Sequence, residues 1–118
     1  MQIRNKLIYI ILVIGFIFFY FFNSNDSSYT FRNEEYLVNH YKKHGLEMGF
    51  ESEEEYEKRA SDLINYCLNN TSCLYKKEED NDDIYYLEDT NEIVFVSSDG
   101  YIRTYFQPDD GIAYFNRQ

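Results

Sequence analysis

The chain has 118 residues with 21 acidic and 11 basic side chains, a formal net charge of −10, and 44% hydrophobic residues that include 13 Tyr and 10 Phe. That length accommodates one small folded domain and excludes a multidomain machine, while the apolar content excludes intrinsic disorder. The acidity argues against a passive nucleic-acid coat, because phosphate binding draws most of its affinity from Lys and Arg.

Charge is spread unevenly. Residues 1–22 carry two bases, Arg4 and Lys6, and no acid, which leaves residues 23–118 with 21 acids, nine bases and a net charge of −12. From Leu7 to Phe22 the sequence LIYIILVIGFIFFYFF runs sixteen residues without a charge. As a helix it would extend roughly 24 Å against a hydrocarbon core of about 30 Å, with Tyr20, Asn23 and Ser24 suited to the interface. No A-x-A-like site follows Phe22, so an uncleaved signal anchor in a lipid bilayer is expected, with a cleaved signal peptide as the alternative. Arg4 and Lys6 precede the span, and the next base is Arg32. The positive-inside bias then predicts a single-pass membrane protein with an extracytoplasmic domain. Residues 1–28 are read as cytoplasmic stub, anchor and polar linker, and residues 29–118 as the domain.

Asn33-Glu34-Glu35 reads as an N-cap followed by first-turn acids, and Gly45 as a helix stop. Tyr36, His40 and His44 share one face of that helix. A second helix is predicted from Ser52, whose S-x-x-E box with Glu55 precedes a stripe of Tyr56, Ala60, Leu63, Ile64, Cys67 and Leu68. Glu53, Glu54, Glu57 and Lys58 occupy its solvated side.

Five residues separate Cys67 from Cys73, and the spacing permits either a small disulfide loop or two unpaired thiols. Asn25, Asn69 and Asn70 begin N-x-S/T triplets, relevant only in a glycosylating host. Past Cys73 the pattern turns β-like. A short strand at Leu74-Tyr75 is followed by the charged turn KKEEDNDD, then strands at Ile84–Leu87 and Ile93–Val96. Asp99-Gly100 predicts a two-residue hairpin turn, placing Ser98 opposite Tyr101, Val96 opposite Arg103 and Phe95 opposite Thr104. One sheet face then carries Ile93, Phe95, Ile102, Thr104 and Phe106 and is expected to meet the helices. The other carries Val94, Val96, Tyr101, Arg103 and Tyr105. After Pro108–Gly111 a short segment, Ile112–Phe115, returns. The fold class is α+β, two helices packed on a small antiparallel sheet behind a transmembrane helix.

Two groups of residues carry candidate chemistry. His40 and His44 are spaced to share a metal ion from one helix, but HExxH order and a third ligand are missing. They equally suit general acid–base work, or the edge of a core. Arg103 is the single base between Lys77 and Arg117. Lying between Tyr101 and Tyr105, its guanidinium fork suits a phosphate with the tyrosines stacking on a base, or an ion pair with Glu88 or Glu92. Thr104, Tyr105 and Tyr114 add hydroxyl donors. Hydrolase elbows and glycine-rich phosphate loops are absent from the sequence, and the carboxylates come in runs rather than facing pairs.

Two segments, HYKKHGLEMGFESEEEYEKRA (His40–Ala60) and SSDGYIRTYFQPDDGIAYFNRQ (Ser97–Gln118), resemble the signatures of small bacterial toxin domains. These belong to the barnase–EndoU–colicin–RelE group of metal-independent ribonucleases, found in polymorphic and phage-associated toxins. The resemblance covers about residues 33–118 of the chain. It implies His40 or His44 as general base or acid, Arg103 on the scissile phosphate with Thr104 assisting, and Tyr114 positioning the substrate. The implied reaction is attack of a ribose 2′-hydroxyl on the adjacent phosphate to give a cyclic phosphate, with RNA as substrate, no cofactor, and a cognate immunity protein as partner. The alternative expectation is a non-catalytic, membrane-tethered interaction module.

Overall fold

In the computed structural model of the chain, residues 26–118 are described, and the expected anchor at residues 7–22 lies outside them. Among the described residues no helix is long and apolar enough to cross a membrane. The domain is α+β, with three α-helices and a four-stranded antiparallel sheet.

Helix α1 (Glu34–His40) begins where Asn33, in extended backbone, accepts a hydrogen bond from the Tyr36 N–H, with Glu34 and Glu35 at the positive helix end. It continues into one π-helical turn, Tyr41–Gly45, closed by a 3.1 Å bond from the Leu46 N–H to the Tyr41 carbonyl. The helical run does end at Gly45, as expected, but without the left-handed backbone of a glycine cap. The left-handed residue comes later, at Gly49 (φ 89°). A Cβ on Gly45 would fall 2.4 Å from the Tyr41 ring and 3.2 Å from that of Tyr56, so glycine here permits close packing.

Helix α2 (Glu53–Asn69) starts as expected, with Ser52 accepting from the Glu55 N–H at 3.2 Å. Tyr56, Ala60, Leu63, Ile64 and Cys67 are buried. Leu68 is exposed instead, because the inward position of the last turn is held by Cys67, which is disulfide-bonded to Cys73. A second row on α2 is polar and equally specific. Asn65, Ser61 and Glu57, four residues apart, grip the backbone N–H groups of Ser27, Tyr29 and Phe31 in turn at 3.1, 2.9 and 3.0 Å. The extended segment so held reaches the outer edge of the sheet, where the Ile102 N–H bonds the Thr30 carbonyl at 2.8 Å.

Strands β1 (Leu74–Lys77), β2 (Asp83–Leu87), β3 (Glu92–Val96) and β4 (Ile102–Phe106) form a meander in that order, and helix α3 (Ile112–Asn116) follows. The predicted strands are present, but the last hairpin is built differently. Ser97, not Ser98, faces Tyr101, through a 2.8 Å bond from its N–H to the Tyr101 carbonyl. The loop is three residues long and uses Gly100 at φ 92°. The Ser97 hydroxyl donates to the Asp99 carboxylate at 2.6 Å and accepts from the Tyr101 N–H at 3.0 Å, which supports the wider turn. A bulge between Phe95 and Val96 absorbs the mismatch: Val96 pairs with Ile102 and Phe95 with Thr104, leaving Arg103 without a ladder partner.

The bulge puts Ile102 and Tyr105 on one face although they are three residues apart. That face, with Leu87, Val94 and Val96, packs on α2. Ile93 and Phe95 lie on the opposite face with Ile84, Tyr86 and Phe115, and Phe106 and Tyr114 pack against them. The expected assignment of the two faces is thus inverted, except for Ile102. All five β3 residues are buried, so alternation yields two sets of side chains without marking which one meets the helices. The third helix explains the burial, since Phe115 covers the face that α2 leaves open.

A polar network crosses the main core. Glu92, with a side chain only 6% exposed, takes a fork from Arg59 (Nε 3.0 Å, Nη2 2.5 Å) and the hydroxyl of Tyr105. Burial pushes its carboxyl up, but the hydrogen bonds, Arg59 first among them, together hold it below its ordinary 4.5.

Reducing the Cys67–Cys73 bridge, or replacing both with Ser, should cost about 2 kcal/mol by loop entropy, measured by urea unfolding. Arg59→Met leaves Glu92 buried and less compensated and should cost about 2 kcal/mol, the usual buried-pair penalty discounted for the partly exposed Arg59. Because Glu92 titrates lower when folded, its contribution is complete above about pH 5 and is lost as the pH falls through the folded value. Unfolding curves across that range should show a smaller acid loss in Arg59→Met than in the wild type.

Candidate functional site

Four of the side chains singled out in the sequence meet at the end of the sheet that holds the bulge. A cleft of about 520 Å³ opens there, walled by Tyr36 and His40 of α1, by Phe95 of β3 and by Arg103 and Thr104 of β4, with Tyr114 of α3 among its other lining residues. His40, Arg103, Thr104 and Tyr114 therefore share one cavity. His44 does not line it. That ring borders a neighbouring groove with Glu47, Met48 and Phe106.

The histidines are placed by aromatic stacking. The His40 ring stacks on Phe31 (centroids 5.2 Å) and faces His44 at 6.2 Å, and His44 stacks on Phe106 at 4.8 Å. Phe106 in turn meets the edge of Tyr114 at 5.3 Å. One row of rings thus joins the N-terminal segment, α1, β4 and α3. His40 Nδ1 is buried with no hydrogen-bond partner among the described residues, so Nε2 is the nitrogen available to a ligand. Burial first, then the neighbouring His44 and Lys43, lowers the His40 pKa below 6.5. Burial and Lys43 lower that of His44 in the same way, with Glu47 opposing. Both shifts favour the neutral imidazole, the form that a general base requires.

Arg103 does not pair with Glu88 or Glu92, the partners its strand position suggested. Glu92 is committed to Arg59 and Tyr105. The bulge and the β1–β2 turn lie at the same end of the sheet, and Arg103 Nη1 instead bonds Asp82 there, and Asp80 at 3.2 Å. Both bonds fall on Nη1; among the described residues Nη2 and Nε make none. The side chain remains 55% exposed. Arg32, which also lines the cleft, lies 4.5 Å over the Tyr101 ring and pairs with Asp99 at 2.8 Å. Arg32 and then Ser97 draw the Asp99 carboxyl down to about 2. Tyr114 is shifted upward by burial and by Glu78 and stays protonated at neutral pH.

No histidine belongs to the one group of potential metal ligands among the described residues, which is Glu78, Asp80 and Asp82. Arg103 already supplies a cation to two of those three carboxylates. Sequence reasoning missed Arg32, Glu78 and both aspartates as neighbours of the site. Tyr101, expected beside Arg103, does line the cleft, and Tyr36 carried a signal in its position one turn before His40. The others arrive through contacts between residues far apart in the chain, which a single sequence does not encode.

Gly45→Ala should cost about 1–2 kcal/mol, the strain of overpacking set against a better helix residue. It should also displace the histidines, read in thermal unfolding and in the NMR shifts of the His40 and His44 rings.

No family model matches the chain, and no curated protein is significantly similar to it.

Proposed function

We propose that the domain is a ribonuclease-like toxin domain that cleaves RNA without a metal ion, held outside the cytoplasm by a membrane anchor at residues 7–22. The observation that carries the reading is the shared cleft of His40, Arg103, Thr104 and Tyr114. Burial favours the uncharged His40 ring, and with Nδ1 buried the base is Nε2. It takes the proton of a ribose 2′-hydroxyl, and the 2′-oxygen attacks the adjacent phosphorus. The P–O5′ bond breaks, leaving a 2′,3′-cyclic phosphate and a 5′-oxygen that takes a proton from solvent to become a hydroxyl, while His40 returns its proton to solvent. The free edge of the Arg103 guanidinium and the Thr104 hydroxyl face the charge that grows on the phosphate oxygens. Tyr114, protonated, donates a hydrogen bond to the departing oxygen. The resemblance of His40–Ala60 and Ser97–Gln118 to the toxin signatures supports the same assignment, and with it an immunity protein as partner.

His44 has a supporting role in this reading, as the ring between His40 and Phe106. One observation favours the alternative of a non-catalytic interaction module: Arg103 already has two carboxylate partners.

The full chain in detergent, incubated with single-stranded RNA and EDTA, should yield 2′,3′-cyclic phosphate ends. His40→Ala and Arg103→Ala should each lower the rate by about 100-fold or more. As the base must be neutral, the rate should rise with pH through a value below 6.5 and then level. Absence of cleavage by the wild type, or full activity in both variants, leaves the interaction module as the reading.

A further inference from the structure

Arg103 is held by two carboxylates that differ in every respect except their target. Asp82 is buried, with a side chain 5% exposed, and it precedes β2 at a fixed place in the sheet. Asp80 is 56% exposed and sits on the turn between β1 and β2. That turn is closed by a 2.9 Å bond from the Glu78 N–H to the Asp82 carbonyl, and it places Asn81 at φ 68°. One Asp80 oxygen accepts the Asp82 N–H at 3.1 Å and the other accepts Arg103 Nη1 at 3.2 Å. Asp80 is thereby aimed at the guanidinium by its own turn.

A buried carboxylate and one guanidinium balance in charge. The second carboxylate makes the local sum negative, and Glu78 lines the same cleft. An anion approaching the free Nη2 and Nε edge meets a cation that is oriented by Asp82 but over-neutralised by Asp80. Asp80 is exposed and can release the guanidinium by turning its second oxygen to water, whereas Asp82 cannot leave without stranding a buried charge.

We propose that these two aspartates set the phosphate affinity of Arg103 in opposite directions, Asp82 as the positioning residue that aims the guanidinium into the cleft and Asp80 as a displaceable carboxylate that an incoming phosphodiester must outcompete. The inference rests on the reading of Arg103 as the phosphate-binding group.

The test is binding of an uncleavable 2′-deoxy dinucleotide monophosphate to the full chain, by titration calorimetry at low salt. Asp80→Asn should tighten binding about five-fold, the effect of removing one nearby exposed charge. Asp82→Asn should weaken it about ten-fold or more, and Asp82→Glu should recover part of that loss. Thermal unfolding identifies any variant that fails to fold, and Asp80→Asn, at an exposed position, serves as the measurement that does not depend on Asp82. Opposite shifts support the proposal, as does binding by Asp80→Asn where the wild type binds too weakly to measure. Shifts of the same sign, or none, overturn it while wild-type binding upholds the reading of Arg103. Absence of binding in the wild type and in Asp80→Asn alike overturns both.

Discussion

Tyr56 is the point on which the rest of the domain depends. It is wholly buried, and its ring meets those of Phe31, Tyr41, Phe50 and Tyr105 at centroid distances of 5.9, 6.1, 5.8 and 5.3 Å. Its hydroxyl donates to the Tyr105 carbonyl, fastening α2 to β4. Each such aromatic pair adds about 0.5–1.5 kcal/mol beyond the area it buries. The consequence is geometric as well as energetic. Tyr41 and Gly45 must close on the Tyr56 ring, and the π-helical turn is the backbone solution that brings them there. His40 enters that turn and His44 lies inside it, so the orientation of both imidazoles follows from packing on a tyrosine in another helix.

The sheet transmits the same constraint to the other wall of the cleft. Val94, Val96, Ile102 and Tyr105 must face α2, while Ile93 and Phe95 must face Tyr86 and Phe115. Burial on both sides fixes the register strongly, because a slip of one residue would exchange the two sets of side chains. The bulge at Ile102 and Arg103 satisfies both layers at once. Its by-product is an arginine freed from the ladder at the mouth of the cleft, opposite the turn that bears Asp80 and Asp82.

Electrostatics completes the arrangement. An acidic domain places each arginine of the cleft beside a carboxylate: Arg32 with Asp99, and Arg103 with Asp82 and Asp80. Arg59 is likewise committed to Glu92. The net charge of the chain is therefore a poor guide to the field inside the cleft. What matters there is which carboxylates are buried and fixed and which can move.

The amino-acid sequence by itself determined the local structure: the Asn33 and Ser52 caps, the buried stripe from Tyr56 to Cys67, the runs that become β2 and β3, and the face shared by Tyr36, His40 and His44. These are short-range signals, a capping side chain or a periodicity, and each acts within a few residues. Among the candidate site residues, His40, Arg103, Thr104 and Tyr114 were legible as side chains that carry chemistry. Only the tertiary structure decided that these four line one cleft and that His44 faces a neighbouring groove. It also decided that Gly45 packs against Tyr41 and Tyr56 where the helical run ends, that Cys67 and Cys73 are bonded, and which sheet face meets α2. It replaced Glu88 and Glu92 by Asp80 and Asp82 as the partners of Arg103. The reason is common to all of these. Each depends on a bulge, a turn or a ring contact between segments distant in the chain, and a strand buried on both faces gives no polar side from which such contacts can be read.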